Sequence, residues 1–138
     1  MNKLSGRKVE LIYNGYDHLD FKDIQVKPDS KFSITHFGAF NRDRNPHSLW
    51  TALQQISSEN PEFKKLVSIQ LIGQTDESII ESIKENNLDK NLEIMDFLPH
   101  SKGVKKLKKS QVLLLPINDT DNAMGILPGK MFEYLALQ

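Results

Sequence analysis

From residue 32 onward the apolar residues change period repeatedly, from the short runs of a strand to the three-and-four spacing of a helix. Phe32-Ser33-Ile34-Thr35-His36-Phe37 reads as a strand ending at Gly38. Beyond Pro46, which suits a first helical turn, Leu49, Ala52, Leu53 and Ile56 recur at helical spacing. Leu66 to Ile72 is nearly all apolar, as a strand covered on both faces should be, and stops at Gly73. Thr75 is the expected N-cap of the next helix, Asp76 and Glu77 favour its positive end, and Ile79, Ile80 and Ile83 supply its buried stripe. Leu92 to Leu98 predicts a third strand closed by Pro99, and Ser101 to Ser110 a short helix with Val104 and Leu107 inward. Val112 to Leu115 predicts the most apolar strand, and a loop from Asn118 to Pro128 leads to a last helix starting near Gly129. Strands alternating with helices require right-handed crossovers and parallel pairing. The expected fold class is α/β, a Rossmann-like doubly wound, mostly parallel sheet with helices on both faces.

Upstream, Lys8 to Tyr13 reads as an isolated strand stopped by the Asn14-Gly15 turn signal, and Asp17 to Ser30 as a polar linker broken by Pro28. Residues 1–30 are therefore expected to be an interdomain strand and linker, and 31–138 a binding domain. The final helix runs out at Gln138 without a capping Gly or Asn and without a following strand, which is expected of a truncated chain. The 138 residues balance 18 Lys plus Arg against 18 Asp plus Glu, which removes any global electrostatic drive toward nucleic acid. With no Cys, disulfides, thiolate metal sites and Cys nucleophiles are excluded. No apolar run approaches the about 20 residues of a membrane span, and the first residues do not form a signal peptide. The expected location is cytoplasmic.

In an open parallel sheet, ligands bind beyond the carboxyl ends of the strands. Several residues there suit a phosphate: Gly38 allows close backbone approach, Arg44 offers a forked donor, and Gly129-Lys130 opens a helix whose free N–H groups attract anions. A nucleotide is the natural ligand, against the alternative that Gly38 and Gly73 are ordinary turn glycines and Arg44 is solvated. Gly125 to Met131 is one residue short of a P-loop and carries Met where a hydroxyl must meet Mg²⁺; Gly38-Ala39-Phe40 lacks dinucleotide-binding Gly spacing. Asp119-Thr120-Asp121 follows the fourth strand, where two carboxylates could hold Mg²⁺ or Mn²⁺ beside a diphosphate. The basic run Lys102 to Lys109 is most simply a solvated helix face; contact with an anionic inner membrane face is its second reading. His36 alternates within a strand and reads as a core histidine.

Taken in order, these segments resemble the C-terminal, donor-binding domain of the family four (group 1) retaining GT-B glycosyltransferases. Ile12-Tyr13-Asn14-Gly15-Tyr16-Asp17 resembles the I-x-N-G-x-D crossing into that domain, and His36 to Pro46, running into Leu49 and Ala52-Leu53, resembles its glycine-and-basic opening. Leu71-Ile72-Gly73, Leu107 to Pro116 and Gly125 to Ala136 resemble its second strand, its late strand and its G-ϕ-P-x-K-ϕ-ϕ-E-Y-ϕ-A stretch. The chain departs from the pattern where Gly125 replaces a second Glu, Ala39 replaces an Arg and Ser110-Gln111 replaces Ala-Asp.

The resemblance implies a metal-independent transfer, with retention, from a UDP- or GDP-sugar, with no cofactor besides that donor and with a role in polysaccharide biosynthesis. It matches Glu133 to the Glu that binds the ribose hydroxyls, Lys130 to the phosphate-facing turn and Arg44 to the basic residue that stabilises the leaving diphosphate. Gly38, Gly73, His100 and Gly125 join Glu133 as expected donor contacts; the acceptor site would lie on a separate N-terminal domain, leaving this part with little turnover alone. Two other readings compete: a metal-dependent sugar transferase using Asp119 and Asp121, and a non-catalytic flavodoxin-like binding module. No acid in Phe32 to Phe37 disfavours the last.

Overall fold

Phe32–Phe37 forms β1 within a four-stranded parallel sheet in the computed structural model of the chain, which describes residues 10, 12–118, 120–121 and 123–137. Val67–Ile72 forms β2, paired with β1 from Phe32↔Val67 to Phe37↔Ile72. Leu92–Met95 forms β3 outside β2, and the short Val112–Leu113 forms β4 on the other side of β1. The order is β3-β2-β1-β4. The chain winds outward from β1 to β3 and then reverses, so β1 and β4 flank a topological switch point, where open α/β sheets hold ligands.

Among the described residues five α-helices clothe the sheet: α1 (His47–Glu59), α2 (Pro61–Leu66), α3 (Glu77–Glu85), α4 (His100–Lys109) and α5 (Gly129–Ala136). Strand alternation sends Ile34, Val67, Ile69 and Leu71 to one face, against Trp50 and Leu53 of α1 and Ile79 and Ile83 of α3. Phe37 and Ile72 point to the other face, against Val104 and Leu107 of α4 and Tyr134 of α5. Each such buried side chain contributes about 1.5–3 kcal/mol of transfer free energy. The expected doubly wound α/β fold is the observed one.

On the second face, the leading halves of the strands are polar yet buried: Ser33, Thr35, Ser68 and Gln70. A buried polar group without a partner is costly, and these are partnered. Thr35 bonds Gln70 (3.2 Å) and Ser110 (2.6 Å), and Ser33 donates to Gln111 (2.8 Å). Asp29 closes the network: its N–H donates to Lys109 O, and its carboxylate and carbonyl accept from Gln70 and Gln111. The polar stretch before β1 is therefore docked at this end, and Phe21 and Ile24 pack against the second core.

Several local expectations need correction. Asp76, not Thr75, caps α3, its carboxylate accepting from Ser78 N–H, while Thr75 pairs with Phe40 in an isolated parallel bridge. The predicted strands Leu92 to Leu98 and Val112 to Leu115 are shorter; past β4 a single ladder bond continues, Leu114 N–H to Thr35 O. Of the expected first strand, residues 8, 9 and 11 lie outside the described residues. Glu10, Ile12 and Tyr13 are not in a strand, and Ile12 is 90% exposed. Ile12 and Tyr13, 90% and 82% exposed, bury little of the apolar surface that would hold a strand against the sheet. No helix among the described residues is long and apolar enough to cross a membrane.

Candidate functional site

Two glycines form the floor of the crevice at the carboxyl ends of β1 and β2. Gly38 and Gly73 both carry positive φ, +110° and +107°, a region open to glycine at little cost. Each N–H extends the ladder by one bond, Gly38 to Ile72 O (2.8 Å) and Gly73 to Met95 O (2.9 Å). They also touch: a Cβ on Gly73 would lie 3.0 Å from Gly38 O. The absence of side chains here leaves room above the sheet, and Lys130 fills part of it.

Lys130 is the second residue of α5, whose start is set by Pro128 at the N-cap, with β-region dihedrals. Its ammonium reaches back over Gly38 and faces a cavity of about 300 Å³ lined also by His36, Arg44, Leu115, Asn118 and Gly129. Arg44 enters from the 3-10 turn Arg42–Arg44, and its Nε donates to Asn118 Oδ1 at 2.6 Å, which fixes the plane of the guanidinium. The free N–H groups of the first turn of α5 lie beside the same cavity. Two cations and a helix N-terminus thus converge on one opening at the switch point. Burial pushes the Lys130 ammonium below its ordinary value, the Arg44 charge adds to that, and Glu133 opposes it. An anion in the cavity would relieve this strain.

His36 forms the inner wall. It is 1% exposed, stacks on Phe40 with ring centroids 4.3 Å apart, and has both ring nitrogens directed at carbonyls: Nδ1 at Leu114 O (3.0 Å) and Nε2 at Ala39 O (3.3 Å). Burial holds its pKa below the ordinary value, the carbonyls pull it back up, and the charges of Lys130 and Arg44 push it down again.

Glu133 lies one turn beyond Lys130, partly exposed, with its carboxylate 4.0 Å from His100 Nε2. His100 opens α4; its Nδ1 lies 3.6 Å from Asp20, and its ring meets those of Phe21 and Phe37 at 6.3 and 6.5 Å. The expected residues Gly38, Gly73, Arg44, Lys130, Glu133 and His100 therefore form one connected row from the switch point to the start of α4. Gly125 stands apart, in the 3-10 turn Ala123–Gly125, exposed and with open space around it. Asp119 lies outside the described residues, and Asp121 is exposed in a turn. Among the described residues no group of three or more His, Asp and Glu is placed to hold a metal ion.

Sequence reasoning missed Asn118 and gave His36 no place at the site. Alternation correctly buried His36, but its place at the end of β1, two residues before the turn glycine, was the usable signal. A larger groove of about 520 Å³ runs between α4, β4 and α5; its lining is mainly apolar, and its cation, Lys108, donates to Leu137 O.

The fold, a parallel four-stranded sheet with helices on both faces, is one that structural comparison also finds in parts of larger solved proteins. Similar solved structures are a trehalose-6-phosphate synthase from E. coli bound with UDP-2-fluoro glucose (TM-score 0.63, 12% identity, 90% of this chain and 33% of that one) and an α,α-trehalose 6-phosphate synthase from Burkholderia multivorans (0.53, 14%, 79% and 26%). S. aureus TarM in complex with UDP, α-GlcNAc-glycerol and fondaparinux is a third (0.51, 15%, 80% and 22%). The chain thus spans about a third or less of the length of these structures. No family model matches the sequence, and no curated protein matches it significantly.

Proposed function

We propose that this chain is the donor-binding part of a glycosyltransferase that takes a sugar from a UDP- or GDP-sugar, with retention and without a metal ion, as in family four of the GT-B enzymes. The observation that carries this is the convergence of Arg44, Lys130 and the first turn of α5 on the cavity between β1 and β4. A nucleoside diphosphate placed there meets forked, point-charge and backbone donors at once. Glu133, one turn deeper, accepts from the ribose hydroxyls, and His100 borders the base. Two of the similar structures hold a uridine nucleotide, which fits such a ligand.

The chemistry follows from charge. Breaking the glycosidic bond leaves new negative charge on the departing diphosphate. Arg44 and the partly desolvated Lys130, whose charges repel, stabilise that charge more than they stabilise the neutral bond; one positioned donor of this kind accounts for about 3–4 kcal/mol of barrier. The acceptor is held by a separate N-terminal domain, so this part binds donor and turns over little by itself. The setting is cytoplasmic polysaccharide biosynthesis, with peripheral contact of the inner membrane face through Lys102, Lys105, Lys106 and Lys109. Lys108 is committed to Leu137 O. Each free cation near an anionic leaflet adds about 1 kcal/mol.

Calorimetric titration with UDP and GDP tests the assignment. Arg44→Ala and Glu133→Ala should each weaken binding about ten- to hundredfold, the worth of one charge-assisted hydrogen bond. Affinity untouched by both substitutions would remove the assignment. Affinity that requires manganese and is lost in Asp121→Ala would favour the metal-dependent alternative.

A further inference from the structure

The wall of the cavity contains a hydrogen-bonding conflict. A neutral imidazole donates from one nitrogen and accepts at the other, and a carbonyl oxygen only accepts. Both ring nitrogens of His36 face carbonyls, Leu114 O at 3.0 Å and Ala39 O at 3.3 Å. The neutral ring can therefore satisfy one of them and sets a lone pair against the other. Only the imidazolium donates to both.

These carbonyls belong to the two sides of the switch point. Ala39 is in the turn after β1, next to Gly38, and Leu114 follows β4. A doubly donating His36 ties the two sides together, with its ring held against Phe40. What opposes protonation is burial and the two cations facing it, Lys130 from α5 and Arg44 from the turn after β1; these are its charged neighbours. A diphosphate in the cavity reverses that field.

We infer that His36 takes up a proton from solvent when an anionic diphosphate binds, and that the resulting imidazolium, donating to Ala39 O and Leu114 O, locks the walls of the donor cavity in place. His36 is thus a positioning residue: both of its ring nitrogens are directed at the protein's own carbonyls and not at the sugar or the phosphate, and it makes donor affinity depend on pH. This rests on the nucleotide reading of the site given above.

UDP-glucose and GDP-mannose are suitable probes, because neither carries a terminal phosphate that titrates near neutrality. Binding is measured by calorimetry in PIPES and in Tris, buffers of different ionisation enthalpy, at a pH about half a unit above the ordinary imidazole value. The difference in apparent enthalpy gives the number of protons exchanged. Uptake approaching one proton per ligand is expected, with affinity falling by up to about tenfold per pH unit above the unliganded His36 value. The His36 ring resonance in wild-type protein should move toward its protonated position on saturation, a readout that needs no substitution. His36→Gln should abolish the uptake.

If neither nucleotide sugar binds, the nucleotide reading fails and this inference with it. If one binds with no proton uptake, or with uptake undiminished in His36→Gln, the nucleotide reading stands and the role of His36 is overturned.

Discussion

The Lys130 ammonium occupies the space that a side chain on Gly38 would need: a Cβ there would lie 2.5 Å from Nζ and 3.3 Å from Cε. The glycine and the lysine are thus one device, built from two ends of the domain, for holding a cation over the switch point. Gly38→Ala is expected to destabilise the protein by about 1–3 kcal/mol through its positive φ and to push Lys130 aside. Gly73→Ala should cost more, because the atoms it meets are the backbone of Gly38, which cannot swing away as a lysine can. Thermal unfolding of the two variants checks the order; equal or reversed costs would contradict it.

Lys130 is held below its ordinary pKa by burial and by the neighbouring Arg44, so its charge opposes folding in the unliganded protein. Lys130→Met should therefore raise the melting temperature while abolishing nucleotide binding. Function would here be retained at the expense of stability. A variant that melts lower than wild type and binds no nucleotide would point to a structural role instead.

Asn118 fixes Arg44 through the 2.6 Å bond to Nε. Asn118→Ala leaves the charge in place but frees the guanidinium plane, so it should weaken nucleotide binding less than Arg44→Ala does. Arg44→Lys should behave more like Arg44→Ala, since a lysine keeps the charge and loses the fork. Calorimetric affinities of the three variants test this ranking.

Gly103 of α4 sits on the ring of Phe37, where a Cβ would overlap the ring carbons. Gly103→Ala is expected to cost about 1–3 kcal/mol by overpacking. Phe37→Leu in the same chain should recover part of that loss, because the two residues share one space. Additive losses in a double-mutant cycle would show that the contact is relieved by movement of the helix.

His36 also sets a pH dependence of stability without ligand. Its folded-state pKa lies below the ordinary 6.5, so the unfolded chain binds more protons between the two values. The His36 contribution is present in full above about 6.5, is lost as the pH falls below it, and stops changing once the folded value is passed. Subtracting the stability profile of His36→Gln from that of wild type isolates this part.

Much of the fold was legible because its signals are local. β1 is bounded by Gly38 and α5 by Pro128 and Gly129, and both lie where the pattern puts them. Helix α2 went unread although Asn60 caps it and Pro61 opens it, since it offers too few residues to show a period. The ends of β3 and β4 were overdrawn because an apolar run gives burial, not pairing; a strand stops where its neighbour stops. At the site, residue type and the strand-end rule pointed to Gly38, Arg44 and Lys130. The bond from Arg44 to Asn118 and the Leu114 carbonyl facing His36 join segments more than 70 residues apart. No local pattern carries that information.

The most direct test of the donor site is the amide spectrum of the isotopically labelled protein as UDP is added. Saturable shifts should concentrate at Gly38, Gly129 and Lys130 and at the side chain of Arg44, and Arg44→Ala should remove them at the same UDP concentration. Shifts confined to the apolar groove between α4, β4 and α5, or none at saturating UDP, would contradict a diphosphate site at the start of α5.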